Sequence, residues 1–313
     1  MSLAKARVLK GKTPPLPPGP PYDCAELQDW VGRSFQMPAG DPRLPALHKG
    51  GAAPTPQLDN LVGAVKYWEE HPEWMDIHDP ESPSHEDRML ERSLYLRRWG
   101  PRLESAQRLL DLGGGVGRFT LWLLEHEKEV ELVDPDLRSL WRAVSVGAAT
   151  HGKLDVHWTT GELLPAIAPV DTALLVEVLN YVEDPDLVLA NVFRTLLPGG
   201  TLLVSVEARW GWAAALDAHD GTLDAFFTDG IVHQPGDRWV RTCTREGFEA
   251  LLTRAGFVVE AVWPSHYVLS GPFELAAGPL DEERLFHYED LLAAHPIAEK
   301  LNRAWIAVAH KPA

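Results

Sequence analysis

Between residues 108 and 206, short apolar runs alternate with segments whose apolar residues recur every three or four positions. That alternation leaves few folds open. "RLLDL" (108–112), "EVELVD" (129–134), "LDVHW" (154–158), "DTALLVEV" (171–178) and "TLLVSV" (201–206) have the length and character of buried strands. A helix is predicted from about Gly117 to His126. The next helix sets Leu137, Leu140, Trp141 and Val144 on one face, and a third does the same with Leu189, Val192, Phe193 and Leu196 before "PGG" (198–200) stops it. Each right-handed crossover returns the chain to start the next strand in the same direction, so the pattern predicts an α/β fold with a mostly parallel sheet and helices on both faces. Ligands of such sheets gather at the carboxyl ends of the strands. Two of those ends carry "GGGVG" (113–117) and Asp134.

The chain has 313 residues, of which 45% are hydrophobic, enough for one large domain with appendages. A formal charge of −16 weighs against nucleic acid and anionic membranes, both of which attract basic patches, and favours a small or cationic substrate. No apolar stretch approaches the roughly eighteen residues of a membrane helix, and the N-terminal residues have no apolar core of signal-peptide length, so a cytoplasmic protein is expected. Cys24 and Cys243 lie far apart without metal-ligand spacing. They point neither to a disulfide framework nor to a zinc site, and no metal is implied.

Residues 1–60 hold 11 of the 26 prolines, six of them in "PPLPPGPP" (14–21). They form either a docking element for a partner domain or an extended tail wrapped on the body. Residues 61–107 predict a helical lead-in or cap. Residues 108–313 form the main domain, interrupted at 207–243 and 264–302 by insertions long enough to act as lids.

The glycine run excludes two ligand classes. A P-loop needs a lysine after its last glycine, and Arg118 stands there; a dinucleotide fingerprint needs its third glycine one position later. The spacing present is Asp111-x-Gly113-x-Gly115-x-Gly117, with Asp134 ending the following strand. It resembles the S-adenosylmethionine site of the class I (Rossmann-like) methyltransferases. "GELLP" (161–165), "VEVLNYVEDP" (176–185), "RTLLPGGTLLVSV" (194–206), "TREGFEALLTRAGFVVEAV" (244–262) and a last strand at "RAWIAVAH" (303–310) are similar, in order, to that family's later segments.

The resemblance implies a seven-stranded sheet with an antiparallel last strand and helical lids. It also implies S-adenosylmethionine as cofactor and S-adenosylhomocysteine as product. Glycines let main chain lie close against the methionine and ribose, where a Cβ would intrude, and Asp134 can accept bonds from both ribose hydroxyls. By the same resemblance Glu162 faces the adenine amino group with Leu163 beside it, Asp111 lies near the methionine amino group, and Glu177 and Tyr67 complete the cofactor set. Tyr67 and Trp68 are pocket covers, and Asn180 and Tyr181 face the same mouth.

Methyl transfer is an in-line displacement from an activated leaving group, so alignment and exclusion of water carry most of it. A base is needed only for an acceptor that arrives protonated. His233, His219 and Asp220 are the candidates in the first insertion, which also carries Trp210, Trp212, Phe226, Phe227 and Trp239, an aromatic wall or simple packing. The acceptor is read as a small molecule methylated on O, N or C. Aminopropyl transfer from the decarboxylated cofactor and a non-catalytic binding protein are the alternatives.

Overall fold

The computed structural model describes residues 47–49, 77–147, 150–215, 222–234 and 238–313. Eight strands form one sheet. In chain order they are β1 (Leu47–Lys49), β2 (Arg108–Leu112), β3 (Glu129–Asp134), β4 (Lys153–Trp158), β5 (Val170–Leu175), β6 (Leu196–Glu207), β9 (Val258–Ser265) and β10 (Ala304–His310). The numbers β7 (Ile231–Gln234) and β8 (Arg238–Arg241) belong to a separate two-stranded ribbon. The sheet order is β1-β4-β3-β2-β5-β6-β10-β9, with β10 antiparallel to both neighbours and the other pairs parallel. The seven predicted strands are therefore present, and β1, contributed by the proline-rich extension, adds a short eighth on the edge of β4.

The helices are α1 (His85–Ser105), α2 (Thr120–Glu125), α3 (Leu137–Gly147), α4 (Pro185–Thr195), α5 (Thr222–Thr228), α6 (Arg245–Arg254), α7 (Glu274–Ala277) and α8 (Glu282–Ala293). Their starts are written in the sequence. Asp184, Thr244 and Asp281 each accept the backbone N–H three residues on, and Pro185 opens α4 where a missing N–H costs nothing.

Adjacent strand residues feed opposite faces of the sheet, so Leu109 and Leu110 enter different cores. Leu110 packs with Val188, Val192, Val204 and Phe248 beneath α4 and α6. Leu109 packs with Tyr95, Trp99, Leu123 and Ile306 beneath α1 and α2. The lead-in helix α1 is thus part of the body. Its Trp99 is fully buried, and the indole donates to the Ala307 carbonyl at 3.2 Å.

Local departures from the predicted elements have backbone causes. The helix expected from Gly117 starts at Thr120, because Gly117 has φ +86° and still belongs to the turn. The strand expected to reach Val178 stops at Leu175, since Glu177 takes φ +59°. The first insertion is not helical alone: a 3-10 turn (Trp210–Ala215), α5 and the β7–β8 ribbon share a small core of Trp212, Phe226, Val232 and Val240. The second insertion packs Tyr267, Val268, Leu269 and Leu285 against Leu94 of α1.

Candidate cofactor and acceptor site

The strand order reverses direction between β2 and β5, which opens a crevice at their carboxyl ends. The glycine turn forms one wall. Gly113 donates its N–H to Val133 at 2.7 Å, and Gly113, Gly115 and Gly117 all have positive φ (71°, 55° and 86°). The glycines differ in what surrounds them. A Cβ on Gly113 would overlap the Val178 side chain, and one on Gly114 would lie 2.5 Å from Leu132 Cδ1 and 2.6 Å from Asp111 Oδ2. A Cβ on Gly115 would meet nothing within 4 Å among the described residues. Close packing therefore explains the first two, whereas Gly115 fronts open space that a guest could use.

Asp134 is buried and pinned from two sides. Its Oδ2 accepts the Gly115 N–H at 2.9 Å and its Oδ1 accepts the Asp136 N–H at 2.8 Å, tying the glycine turn to the start of α3. Burial, followed by the neighbouring Asp136 charge, pushes its carboxyl up to about 7. Asp111 lies under the turn, where Oδ2 accepts the Thr120 hydroxyl at 2.6 Å; burial raises it to about 6. Outside the turn, the half-buried His78 holds the Val116 carbonyl at 3.0 Å, and its desolvation lowers it to about 4, so the neutral imidazole donates.

The remaining predicted residues scatter. Glu162 accepts the Glu183 N–H at 3.0 Å, which links the segment after β4 to the one after β5, and Leu163 is exposed. Glu177 stands directly beyond β5, beside the glycine turn. Its Oε1 accepts the Tyr95 hydroxyl at 2.7 Å, and its N–H donates to Ser205 Oγ at 3.0 Å. Asn180 is buried and accepts the Glu207 N–H at 3.0 Å. Trp212 is buried and donates to Glu207, whereas Trp210 and Phe227 are exposed. His233 lies on β7 opposite Trp239. Tyr67, Trp68, His219 and Asp220 lie outside the described residues.

Sequence reasoning missed a buried ionic cluster behind Glu177. Glu91 of α1 pairs with Arg118, which follows the glycine run, and with Arg88 at 2.6 Å; His266 Nε2 lies 3.6 Å from its other oxygen. Burial opposes the Glu91 charge, but Arg118, Arg88 and His266 together hold its carboxyl well below the ordinary range. Burial likewise opposes the His266 charge, and the Glu91 carboxylate with Glu177 and Glu289 raises it. A second ion pair joins the end of β6 to the residue before β10. Arg303 forks onto Glu207 at 2.6 and 3.1 Å and lies over the Trp212 ring, 3.8 Å from its centroid.

A family model described as a methyltransferase domain matches residues 84–262, more than half of the chain. The chain is a class I methyltransferase. Its cofactor is S-adenosylmethionine. Uncharacterised methyltransferases of Mycobacterium bovis and Mycobacterium tuberculosis are 29% identical to this methyltransferase over 213 residues, covering 63% of it and 78% of each relative. Among solved structures it is similar to an S-adenosylmethionine-dependent methyltransferase from Listeria monocytogenes, with a TM-score of 0.51, 18% identity and coverage of 70% and 98%. It is also similar to the [4+2]-cyclase SpnF, with a TM-score of 0.53, 19% identity and coverage of 84% and 98%. At those identities the two structures share the fold alone with this methyltransferase. No helix among its described residues is long and apolar enough to cross a membrane.

Proposed function

We propose that S-adenosylmethionine lies across the glycine turn with Gly115 beneath it and its ribose on Asp134, and that its methyl group is passed to O, N or C of a small-molecule acceptor in the β2–β5 crevice. The observation that carries the placement is the open space in front of Gly115, set against the crowding at Gly113 and Gly114. The carboxylates suit the ligand. Each Asp134 oxygen already takes one backbone N–H and keeps a second acceptor direction for a ribose hydroxyl. Asp111 and Glu177 add negative charge near a cation. Bound cofactor supplies an activated methyl; the chain supplies alignment in the crevice at the ends of β2 and β5. The overall charge of −16 favours a neutral or cationic acceptor over a polyanion.

Calorimetry with S-adenosylmethionine and S-adenosylhomocysteine tests the placement directly, and the absence of binding by either compound would end it. Asp134→Ala is expected to weaken binding at least about tenfold, about 1.4 kcal/mol. The pH dependence has a definite sign. Carboxylates with values raised to about 7 and about 6 are partly protonated in slightly acidic solution, while hydrogen bonds from ribose and attraction to the sulfonium favour the ionised forms. Binding below those values releases protons, so affinity should rise with pH up to about 7 and then level off. A flat profile in wild type, or an unchanged slope in Asp134→Asn, would remove Asp134 from the site.

A further inference from the structure

We propose that Glu177 is the catalytic base of the transfer, with Tyr95, His266 and Glu91 as positioning residues behind it, and that the acceptor is one whose attacking oxygen or nitrogen arrives carrying a proton. This rests on the cofactor placement above and narrows the acceptor within it.

The location is the first support. Glu177 lies two residues past the end of β5, and the next residue, Val178, is the one that a Cβ on Gly113 would strike. Glu177 therefore flanks the same crevice as the glycine turn, from the opposite strand. It is partly exposed, whereas Tyr95, Glu91 and His266 are almost fully buried. Among the described residues its carboxylate receives one hydrogen bond, from the neutral Tyr95 hydroxyl, and forms no ion pair within 4 Å. The other carboxylates along this wall are already committed: Glu91 to two arginines, Glu207 to Arg303 and Trp212, Asp111 to Thr120.

The second support is His266. Its ring is 2% exposed, tilted against Tyr95 at 5.2 Å between centroids, and held on one side by Ser265 Oγ, 3.1 Å from Nδ1. Its Nε2 makes no hydrogen bond among the described residues, although one ligand-type atom from each of Glu91, Glu177 and His266 lies within 4.8 Å of the others. That nitrogen lies 3.6 Å from Glu91 Oε1, so the buried ring sits between the Glu91 carboxylate and the Tyr95 ring whose hydroxyl donates to Glu177. Both Glu177 and His266 hold positive φ (59° and 62°), which side-chain-bearing residues adopt at some cost.

The step balances without another reagent. A lone pair on the acceptor heteroatom attacks the methyl carbon, the carbon–sulfur bond breaks with its electron pair left on sulfur, and the proton of the acceptor passes to a Glu177 oxygen. The products are methylated acceptor, S-adenosylhomocysteine and protonated Glu177, which returns its proton to solvent.

The test needs no acceptor. Sinefungin carries an amino group on carbon where the cofactor carries its methyl-bearing sulfonium, so it places an ammonium where the transferred methyl would be, with its N–H bonds facing the site of the attacking atom. S-adenosylhomocysteine has nothing there, and the two share every other contact. Wild type should prefer sinefungin by at least tenfold, and Glu177→Gln should reduce the preference to within about threefold. An unaltered preference in Glu177→Gln, or no preference in wild type, overturns the assignment. Should Glu177→Gln not fold, the His266 imidazole followed by NMR in wild type decides: sinefungin should lower its titration midpoint and S-adenosylhomocysteine should not, and equal midpoints overturn the assignment. If neither compound binds, the cofactor placement itself has failed, and the base assignment falls with it.

Discussion

Gly115→Val gives a folded protein whose affinity for S-adenosylmethionine is reduced at least about a hundredfold, about 2.7 kcal/mol. The added Cβ has no atom of the described residues within 4 Å, so the branch point of the new side chain causes no clash with them. The local cost is a β-branched residue at φ +55°, on the order of 1–3 kcal/mol, which a domain of this size can tolerate. The isopropyl group fills the space assigned to the cofactor. Gly114→Val is the control with the opposite outcome. There the side chain is driven into Leu132 and the buried Asp111 carboxylate, and the chain should lose several degrees of melting temperature whether or not ligand is present. Far-ultraviolet dichroism, thermal melts and calorimetry on both variants separate the cases. Full binding by Gly115→Val would move the cofactor elsewhere, and unfolding of that variant would make the turn purely structural.

Glu91→Ala should cost about 3–5 kcal/mol of stability, the usual result of leaving buried cations without their counter-charge. Arg88, Arg118 and His266 all face the lost carboxylate; the two arginines are partly exposed, whereas His266 is buried and cannot reach water without rearrangement. Urea denaturation at neutral pH measures the loss, and a change under about 1 kcal/mol would mean that the cluster is screened. The pH dependence identifies the mechanism. A carboxyl held below its ordinary value stabilises the fold fully above the ordinary carboxylate range, and that contribution is lost as pH falls through the depressed value. The acid limb of the wild-type stability curve should therefore flatten in Glu91→Gln. His266 acts in the reverse sense. Raised above 6.5, it contributes fully below that value and loses its contribution as pH rises through the folded one.

The sheet was legible because each of its strands is an apolar run of local sequence. "RLLDL" and "EVELVD" coincide with β2 and β3 residue for residue. Boundaries slipped where a backbone angle decided them: Gly117 prolongs the turn and Glu177 ends β5 early, and neither angle is visible in hydrophobic periodicity. In the site, the glycine spacing and Asp134 stood out because one short stretch and the next strand end carry them. Glu91 and His266 did not. They meet across the fold from α1 and from the segment beyond β9, and in sequence each looks like one more charge in a helix or one of 13 histidines. Arg118 was in view beside the run, but its role depends on Glu91, whose burial no local pattern reveals.

The position of β10 bears on how the molecule assembles. It follows every other strand in the chain yet sits in the interior of the sheet, between β6 and β9. Until residues 304–310 arrive, β6 presents an unsatisfied hydrogen-bonding edge and β9 has no partner at all, so that half of the body is held together only by its helices. Such edges recruit foreign strands. Nascent or clipped molecules lacking that segment should self-associate, and chaperone demand during synthesis should be greatest just before it emerges.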